Sequence, residues 1–217
     1  MKRSHAFIAL GISGHFAQAA VIAEWDGVGG ASVAGVTTVV EITSVGDLTR
    51  GEGLGTVGSS NFNSNNWGNT SSSFTTAVAD EDYLTWSITV APGFQITDLS
   101  VSAEIDTSGT GPNSSAWAID TGSGFSQIGA TFEGPDPGAI VTSDTVSGPL
   151  SGTITFALVG WDASGTSGTL DLEDDLIGGG TGNVGLQING DISVAIPEPS
   201  TVLLGGLALL GLLRRKR

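Results

Sequence analysis

The segment from residue 20 to residue 196 is predicted to fold as one all-β domain, a jelly-roll-like β-sandwich of eight to ten strands. Apolar and polar residues alternate in several short runs, as they do in strands with one buried face. Gly, Pro, Asn and Asp separate these runs, and 34 glycines with many Ser and Thr suit tight turns. Since no window in this segment has a convincing helical period, two packed sheets are the expected architecture.

The clearest predicted strand is the run 83–90, which has one apolar and one polar face. The apolar side chains are Leu84, Trp86, Ile88 and Val90, and the polar ones are Thr85, Ser87 and Thr89. The run 99–105 alternates in the same way and forms either a hairpin with 83–90 or a neighbour across the sandwich. The run 153–161 is the most apolar and is therefore the predicted central strand. Further strands are predicted at 36–45, 117–119, 128–132, 169–173 and 184–194.

Residues 1–19 are predicted to be a signal peptide. Lys2 and Arg3 precede a mostly apolar stretch at 6–16, and Ala17 and Ala19 supply small residues where signal peptidase cleaves. We therefore expect signal peptidase to cut after Ala19. The alternative is that this segment packs as an N-terminal helix of the domain. The chain has no cysteine, so a lipoprotein anchor at the cleavage point is excluded.

Residues 197–217 combine three unlike features. Pro197, Glu198 and Pro199 form an extended segment, because proline lacks an amide hydrogen and restricts the residue before it. An apolar run at 201–213 follows; as a helix it spans roughly 20 Å, short of the roughly 30 Å core of a bilayer. Snorkelling cations and local thinning can absorb that mismatch. We therefore predict a short transmembrane helix at 201–213 with a cytoplasmic basic end, formed by Arg214, Arg215, Lys216 and Arg217.

This arrangement resembles the PEP-CTERM sorting signal of bacterial envelope proteins, which combines a Pro-Glu-Pro motif, a Gly- and Leu-rich span and an Arg-rich cluster. The resemblance covers residues 197–217. It implies that an exosortase in the inner membrane recognises and removes the tail after export through that membrane and transient anchoring. It also implies that the protein reaches the cell surface or extracellular matrix of a Gram-negative bacterium that makes exopolysaccharide. The alternative is a C-terminal anchor that is never cut.

The run 158–172 has a looser resemblance to the closing strands of jelly-roll domains found in such sorted proteins. In those domains the chain steps directly into the last strand, whereas here residues 173–180 intervene. The resemblance therefore agrees with the predicted sandwich and leaves the strand order open.

The charge of the exported part excludes one class of partner. All 22 acidic residues lie between Glu24 and Glu198, and of the seven basic residues only Arg50 lies in that range, which leaves a net charge of −21. Such a charge repels phosphate backbones, so nucleic-acid binding is excluded. Both histidines, His5 and His15, fall in the predicted signal peptide. Without histidine or cysteine, the domain has neither a Ser-His-Asp or Cys-His nucleophile nor an imidazole or thiolate metal site.

Two acidic clusters are candidate calcium sites, the only cofactor that the sequence suggests. Calcium takes six to eight oxygen ligands, which loop carboxylates and carbonyls provide. The first cluster, Asp80 and Asp82 around Glu81, precedes a predicted strand. The second follows another strand and comprises Asp171, Glu173, Asp174 and Asp175. Neither has the spacing of a named calcium loop, and the alternative for both is solvated surface charge.

Tryptophans raise the question of sugar binding. Trp86, Trp117 and Trp161 are in phase with apolar strand positions and are expected in the core. Trp67 lies in a polar, Asn-rich stretch at 61–70 and is the candidate ligand-contacting residue. The alternative is that Trp67 folds back onto the edge of the sandwich.

Three classes of function therefore remain for the domain. The prediction is a non-catalytic surface or matrix component, not an enzyme. The first alternative is a carbohydrate-binding module that docks onto the exopolysaccharide. The second is a polysaccharide-cleaving enzyme with paired carboxylates; it is the weakest, because any domain with so many acids offers carboxylate pairs by chance.

Overall fold

The computed structural model describes residues 20–26, 32–37, 39–58, 61–173 and 184–195. These residues contain fifteen strands and one short helix, and the strands form two antiparallel sheets. The predicted all-β sandwich is confirmed. The predicted number of strands was too low, because the segment between residues 32 and 65 forms several strands of only two to four residues that carry no clear alternation.

The elements in chain order are β1 (Ala20–Asp26), β2 (Ser32–Val33), β3 (Gly35–Val36), β4 (Ile42–Val45), β5 (Leu48–Arg50), β6 (Gly55–Thr56), β7 (Phe62–Asn65), α1 (Phe74–Ala79), β8 (Tyr83–Val90), β9 (Phe94–Thr107), β10 (Ser114–Asp120), β11 (Ser126–Phe132), β12 (Ala139–Thr142), β13 (Thr153–Trp161), β14 (Leu170–Leu172) and β15 (Val184–Val194). The first sheet has the order β3-β1-β15-β9-β14-β7-β6, with β12 also paired to β9. The second has the order β11-β10-β13-β8-β5-β2, with β4 also paired to β8.

Eight of these strands nest as a jelly roll. In chain order they are β1, β8, β9, β10, β11, β12, β13 and β15, and the first pairs with the last, β8 with β13, β9 with β12 and β10 with β11. The pairs β15·β9 and β10·β13 join these four antiparallel pairs into the two sheets. Successive strands therefore cross between sheets several times, which is the double Greek-key connectivity of this fold.

The last strand of the jelly roll is broken into β14 and β15. Ile105 of β9 pairs with β12 on one edge and with Leu172 of β14 on the other, and Ala103 pairs with β12 and with Leu186 of β15. Since β12 occupies one edge of β9, β14 and β15 both lie along the opposite edge. The intervening residues 174–183 lie outside the described residues.

The core is centred on aromatic rings between the sheets. Trp86 and Phe156 stack with centroids 6.1 Å apart, and Trp25 and Trp117 meet Trp86 edge-on at 6.3 and 6.2 Å. All four are buried. The inward phase predicted for Trp86 is confirmed, and truncating such a buried ring typically costs about 3 to 5 kcal/mol.

Helix α1 was not predicted, and it explains why β13 is apolar on both faces. Ser73 caps the helix and exchanges hydrogen bonds with Thr76 in a capping box. Ala77 of the helix packs on the outer face of β10 and β13, and together they form a second apolar cluster, which comprises Ala77, Ala116, Ala118, Ala157, Val159 and Trp161. Six residues are too few to show a helical period in the sequence.

The early strand predicted at 36–45 is wrong in extent. The chain turns after β3, with the N–H of Ile42 donating to Val39 O at 3.1 Å, and only Ile42–Val45 pairs with β8. Val40 is 87% exposed in this turn. The run is rich in β-branched residues but does not alternate, and composition alone overstated its length.

Candidate functional site

The predicted processing sites lie outside the described residues. These are the cleavage residues Ala17 and Ala19, the motif Pro197, Glu198 and Pro199, the membrane segment 201–213, and the basic end Arg214, Arg215, Lys216 and Arg217. The last described residue, Ala195, donates its N–H to Gly93 O at 2.8 Å. The hydrogen-bonded sandwich therefore extends to within two residues of Pro197. Among the described residues, no helix is long and apolar enough to cross a membrane.

The first acidic cluster has a structural role at the end of α1. Ser71 Oγ lies 2.9 Å from Asp80 Oδ2 and 3.0 Å from Asp82 Oδ2, and Asp82 is only 5% exposed. Burial raises the pKa of the Asp82 carboxyl, the Ser71 hydrogen bond lowers it and the Asp80 charge raises it, with a net increase. Glu81 accepts from the Glu52 N–H at 3.1 Å. These carboxylates hold neighbouring chain segments together.

The backbone closes around Asp82. A side chain on Gly68 would meet Asp82 Oδ2 at 2.5 Å, and one on Gly53 would meet Asp82 Oδ1. Asp82 O also accepts the N–H of Gly160 at 3.1 Å. The Asp82 side chain is thus enclosed by main chain and a hydroxyl, and it is not the solvated surface charge of the predicted alternative. Calcium binding at Asp82 stays a prediction.

The second acidic cluster lies on the outer face of the first sheet. Asp171 of β14 pairs in register with Asn63 of β7 on one side and with Asp106 of β9 on the other. Asn63 Nδ2 donates to Asp171 Oδ2 at 2.8 Å, whereas Asp171 Oδ1 and Asn63 Oδ1 are buried without a donor among the described residues. Glu173 accepts from Asn61 at 3.3 Å. Cross-strand pairing therefore places carboxylates side by side.

This row of carboxylates changes the protonation of Asp171. Burial, then the charges of Asp106 and Glu173, raise the pKa of Asp171 to about 7. The group consequently exchanges its proton near neutral pH. No group of three or more acidic side chains in the described ranges is arranged to hold a metal ion, and Asp174 and Asp175 lie outside those ranges.

Trp67 is not a ligand-contacting residue. Its exposed fraction is 0%, and its indole Nε1 donates to Ser64 O at 2.8 Å. The ring lies against Gly160, where an added side chain would meet Trp67 Cε3 at 2.6 Å. The indole therefore fills space that Gly160 leaves in β13, and the alternative, that Trp67 folds back onto the sandwich, is confirmed.

Sequence reasoning missed a groove of about 370 Å³ on the outer face of the second sheet. Its lining residues are Gly46, Asp47, Thr49, Thr85, Trp86, Ser87 and Thr155. Gly46 lies between β4 and β5, which pair with the same strand, and a side chain at Gly46 would collide with Ser87. The alternation of 83–90 already indicated that Thr85 and Ser87 face outward, but the pairing that brings Thr49 and Thr155 beside them is not visible in the sequence.

Comparison with known proteins identifies the C-terminal tail. The PEP-CTERM protein-sorting motif matches residues 195–217, which confirms the resemblance drawn from the Pro-Glu-Pro segment and its flanks. No curated protein and no solved structure matches the chain. The match thus concerns the tail, and the sandwich has to be interpreted from its own geometry.

Proposed function

We propose that this chain is an exported surface or matrix protein whose β-sandwich is non-catalytic and is separated from its PEP-CTERM tail by an exosortase. The motif at residues 195–217 is the observation that carries the proposal. It implies export, C-terminal anchoring and recognition by an exosortase. The folded domain supports it too, because its last described hydrogen bond is at Ala195, directly before the motif.

The proposal also includes removal of a signal peptide, delivery to the cell surface and a domain without catalytic activity. Signal peptidase removes residues 1–19, and the sandwich is delivered to the surface or matrix of a Gram-negative cell. A non-catalytic domain is favoured because residues 20–196 contain neither histidine nor cysteine, the side chains on which most nucleophilic and metal-dependent hydrolases rely.

A carbohydrate-binding role is the second candidate. The groove on the second sheet favours it, because this groove lies on an outer face of the sandwich and is lined chiefly by hydroxyl side chains. Hydroxyl groups both donate and accept hydrogen bonds, as sugar hydroxyls require. The two candidates are compatible, since a matrix protein that binds polysaccharide remains where it is delivered.

The sorting proposal is tested by replacing Pro197, Glu198 and Pro199 with three alanines. We expect the variant to keep its tail and to stay in the membrane fraction, because an exosortase no longer recognises it. Wild-type protein should lose the tail and leave that fraction. The measurement is cell fractionation with mass spectrometry of the C-terminus, before and after deletion of the host exosortase.

The matched control is Ser193→Ala, four residues before the motif and exposed at the end of β15. It should be processed like wild type. Equal release of wild type and the triple-alanine variant contradicts the proposal.

A further inference from the structure

We propose that the outer face of the second sheet is a binding site for an uncharged polysaccharide chain. The hydroxyl face, as we name it, comprises Thr49, Thr85, Ser87, Thr89, Thr153 and Thr155. Register places these side chains together: Thr85 pairs with Thr49, Ser87 with Thr155, and Thr89 with Thr153. Directly paired residues project from the same side of a sheet, so the six hydroxyls form one surface over three adjacent strands.

The hydroxyl face is open, and it contains the groove. Thr49, Thr85, Ser87, Thr89 and Thr155 are partly exposed and Thr153 is exposed. The groove's volume, about 370 Å³, falls in the range of roughly 300 to 1,000 Å³ that is usual for small-ligand pockets. It has the size for a sugar unit, and the solvent-accessible hydroxyls of Thr89 and Thr153 beyond it suit a chain that continues past the groove.

The polar groups of the face match sugar hydroxyls. Thr85 Oγ1 donates to Phe156 O at 3.0 Å, so its remaining lone pairs are acceptors for a ligand. Ser87 and Thr155 contribute further hydroxyls to the groove, and the exposed carboxylate of Asp47 lies at its rim. A carboxylate accepts strong hydrogen bonds from hydroxyl donors. The groove thus offers hydrogen-bond donors and acceptors on neighbouring side chains.

An aromatic pair borders the same face. Tyr83 precedes Thr85 on β8 with the same outward phase, and its ring lies 5.3 Å from that of Phe125, edge to face. Both side chains are partly buried against the second apolar cluster and partly exposed. Aromatic surface next to hydrogen-bonding groups suits a ligand with apolar C–H faces and polar edges, which describes a sugar ring.

Charge decides which polysaccharide fits. Arg50 is the only Lys or Arg between residues 4 and 213. Its partner in register is the buried Leu84, so its side chain points away from the hydroxyl face. Its Nε donates to Ser64 Oγ at 2.8 Å, and its Cζ lies 3.7 Å from the centre of the Phe62 ring. An anionic polymer or a second copy of this acidic chain would meet repulsion without a compensating cation. The occupant is therefore a neutral polysaccharide.

The inference rests on the proposed export, because such a polymer is met outside the cell. It is tested by native gel electrophoresis of the full chain in a sugar-free polyoxyethylene detergent. The gels contain hydroxyethylcellulose, laminarin or galactomannan, which are neutral, or alginate, which is anionic. We expect at least one neutral polymer to retard the wild-type protein and alginate to leave its mobility unchanged.

Variants locate the site. Ser87→Glu and Thr155→Glu fill the groove with charge and should weaken retardation by about tenfold or more, the loss of roughly one strong contact. Thr155→Val keeps the side-chain shape, so it should fold normally and still bind more weakly. Thr142→Glu, on the exposed outer face of the first sheet, is the matched control and should behave as wild type. Unfolding midpoints verify that each variant is folded.

Three results overturn the inference: no neutral polymer retards the wild type, groove variants bind as well as the wild type, or alginate binds more tightly than the neutral polymers. The second result keeps carbohydrate binding and moves it elsewhere on the domain. None of them affects the sorting proposal, which is read from tail removal and membrane release.

Discussion

Two acidic clusters that look alike in the sequence have different hydrogen-bonding partners in the fold. Asp82 is enclosed by Ser71 and by two glycines, so its carboxylate joins chain segments that would otherwise have unsatisfied groups. Asp171 stands in a row with Asp106 on the neighbouring strand, so its charge opposes another charge. The groups that the fold packs against a carboxylate, not the number of acids next to it in the sequence, therefore decide whether that carboxylate stabilises the domain.

The largest expected effect is at Asp82. Asp82→Ala should lower the free energy of unfolding by about 1 to 3 kcal/mol, because Ser71 loses a buried acceptor and a space opens between Gly53 and Gly68. Urea unfolding at neutral pH measures this. A variant as stable as wild type would return Asp82 to the interpretation of solvated surface charge and remove the contrast between the clusters.

Asp171→Asn should instead raise the free energy of unfolding. Each pKa unit corresponds to about 1.4 kcal/mol, and after allowance for the partial exposure of this carboxyl we expect a gain of about 1 to 2 kcal/mol above pH 7. The folded state holds the Asp171 proton more tightly than the unfolded state, since its pKa is raised to about 7. Wild-type stability should therefore fall from about pH 4 to about pH 7 and then level off.

The pH profile is the informative measurement. Asp171→Asn should reduce the decline between about pH 4 and pH 7, with the raised pKa of Asp82 leaving a smaller one, and Asp106→Asn should move the Asp171 contribution to lower pH, because one of the charges that raise the Asp171 pKa is gone. If all three proteins show the same profile, Asp171 is not the group that titrates there.

Alternation of apolar and polar residues was sufficient to predict the strands that have one buried and one solvent-exposed face. The phase of Trp86 followed from alternation, whereas the interior position of β13 followed from its high apolar content. In a strand where apolar and polar residues alternate regularly, the apolar residues identify the buried face, whichever strands it pairs with. That is why the sandwich itself was predictable.

Features that depend on pairing were not predictable. Trp67 lies in a polar stretch, and it is buried because Gly160, 93 residues later, leaves room for its ring. The raised pKa of Asp171 depends on the register between β14 and β9, and the hydroxyl face depends on that between β13, β8 and β5. A single sequence does not show register.

The sorting tail is predictable for a different reason. Its signal is a linear order of motif, apolar run and basic end, so recognition requires no information about the fold. The candidate calcium sites had no such linear signature, and only their burial and hydrogen-bond partners in the structure distinguish the two clusters.

The smallest expected effect concerns calcium and completes the contrast. Among the described residues neither cluster has three acidic side chains arranged for a metal, so millimolar calcium should raise the unfolding temperature no more than sodium chloride of equal ionic strength. Asp82→Asn and Asp171→Asn should respond to both salts as wild type does. A calcium-specific rise that Asp171→Asn abolishes would assign a cation to the second cluster, where Asp171 Oδ1 and Asn63 Oδ1 are acceptors without donors in the described structure. A rise lost instead in Asp82→Asn would mean that calcium displaces Ser71, and the two clusters would then differ in geometry but not in chemistry.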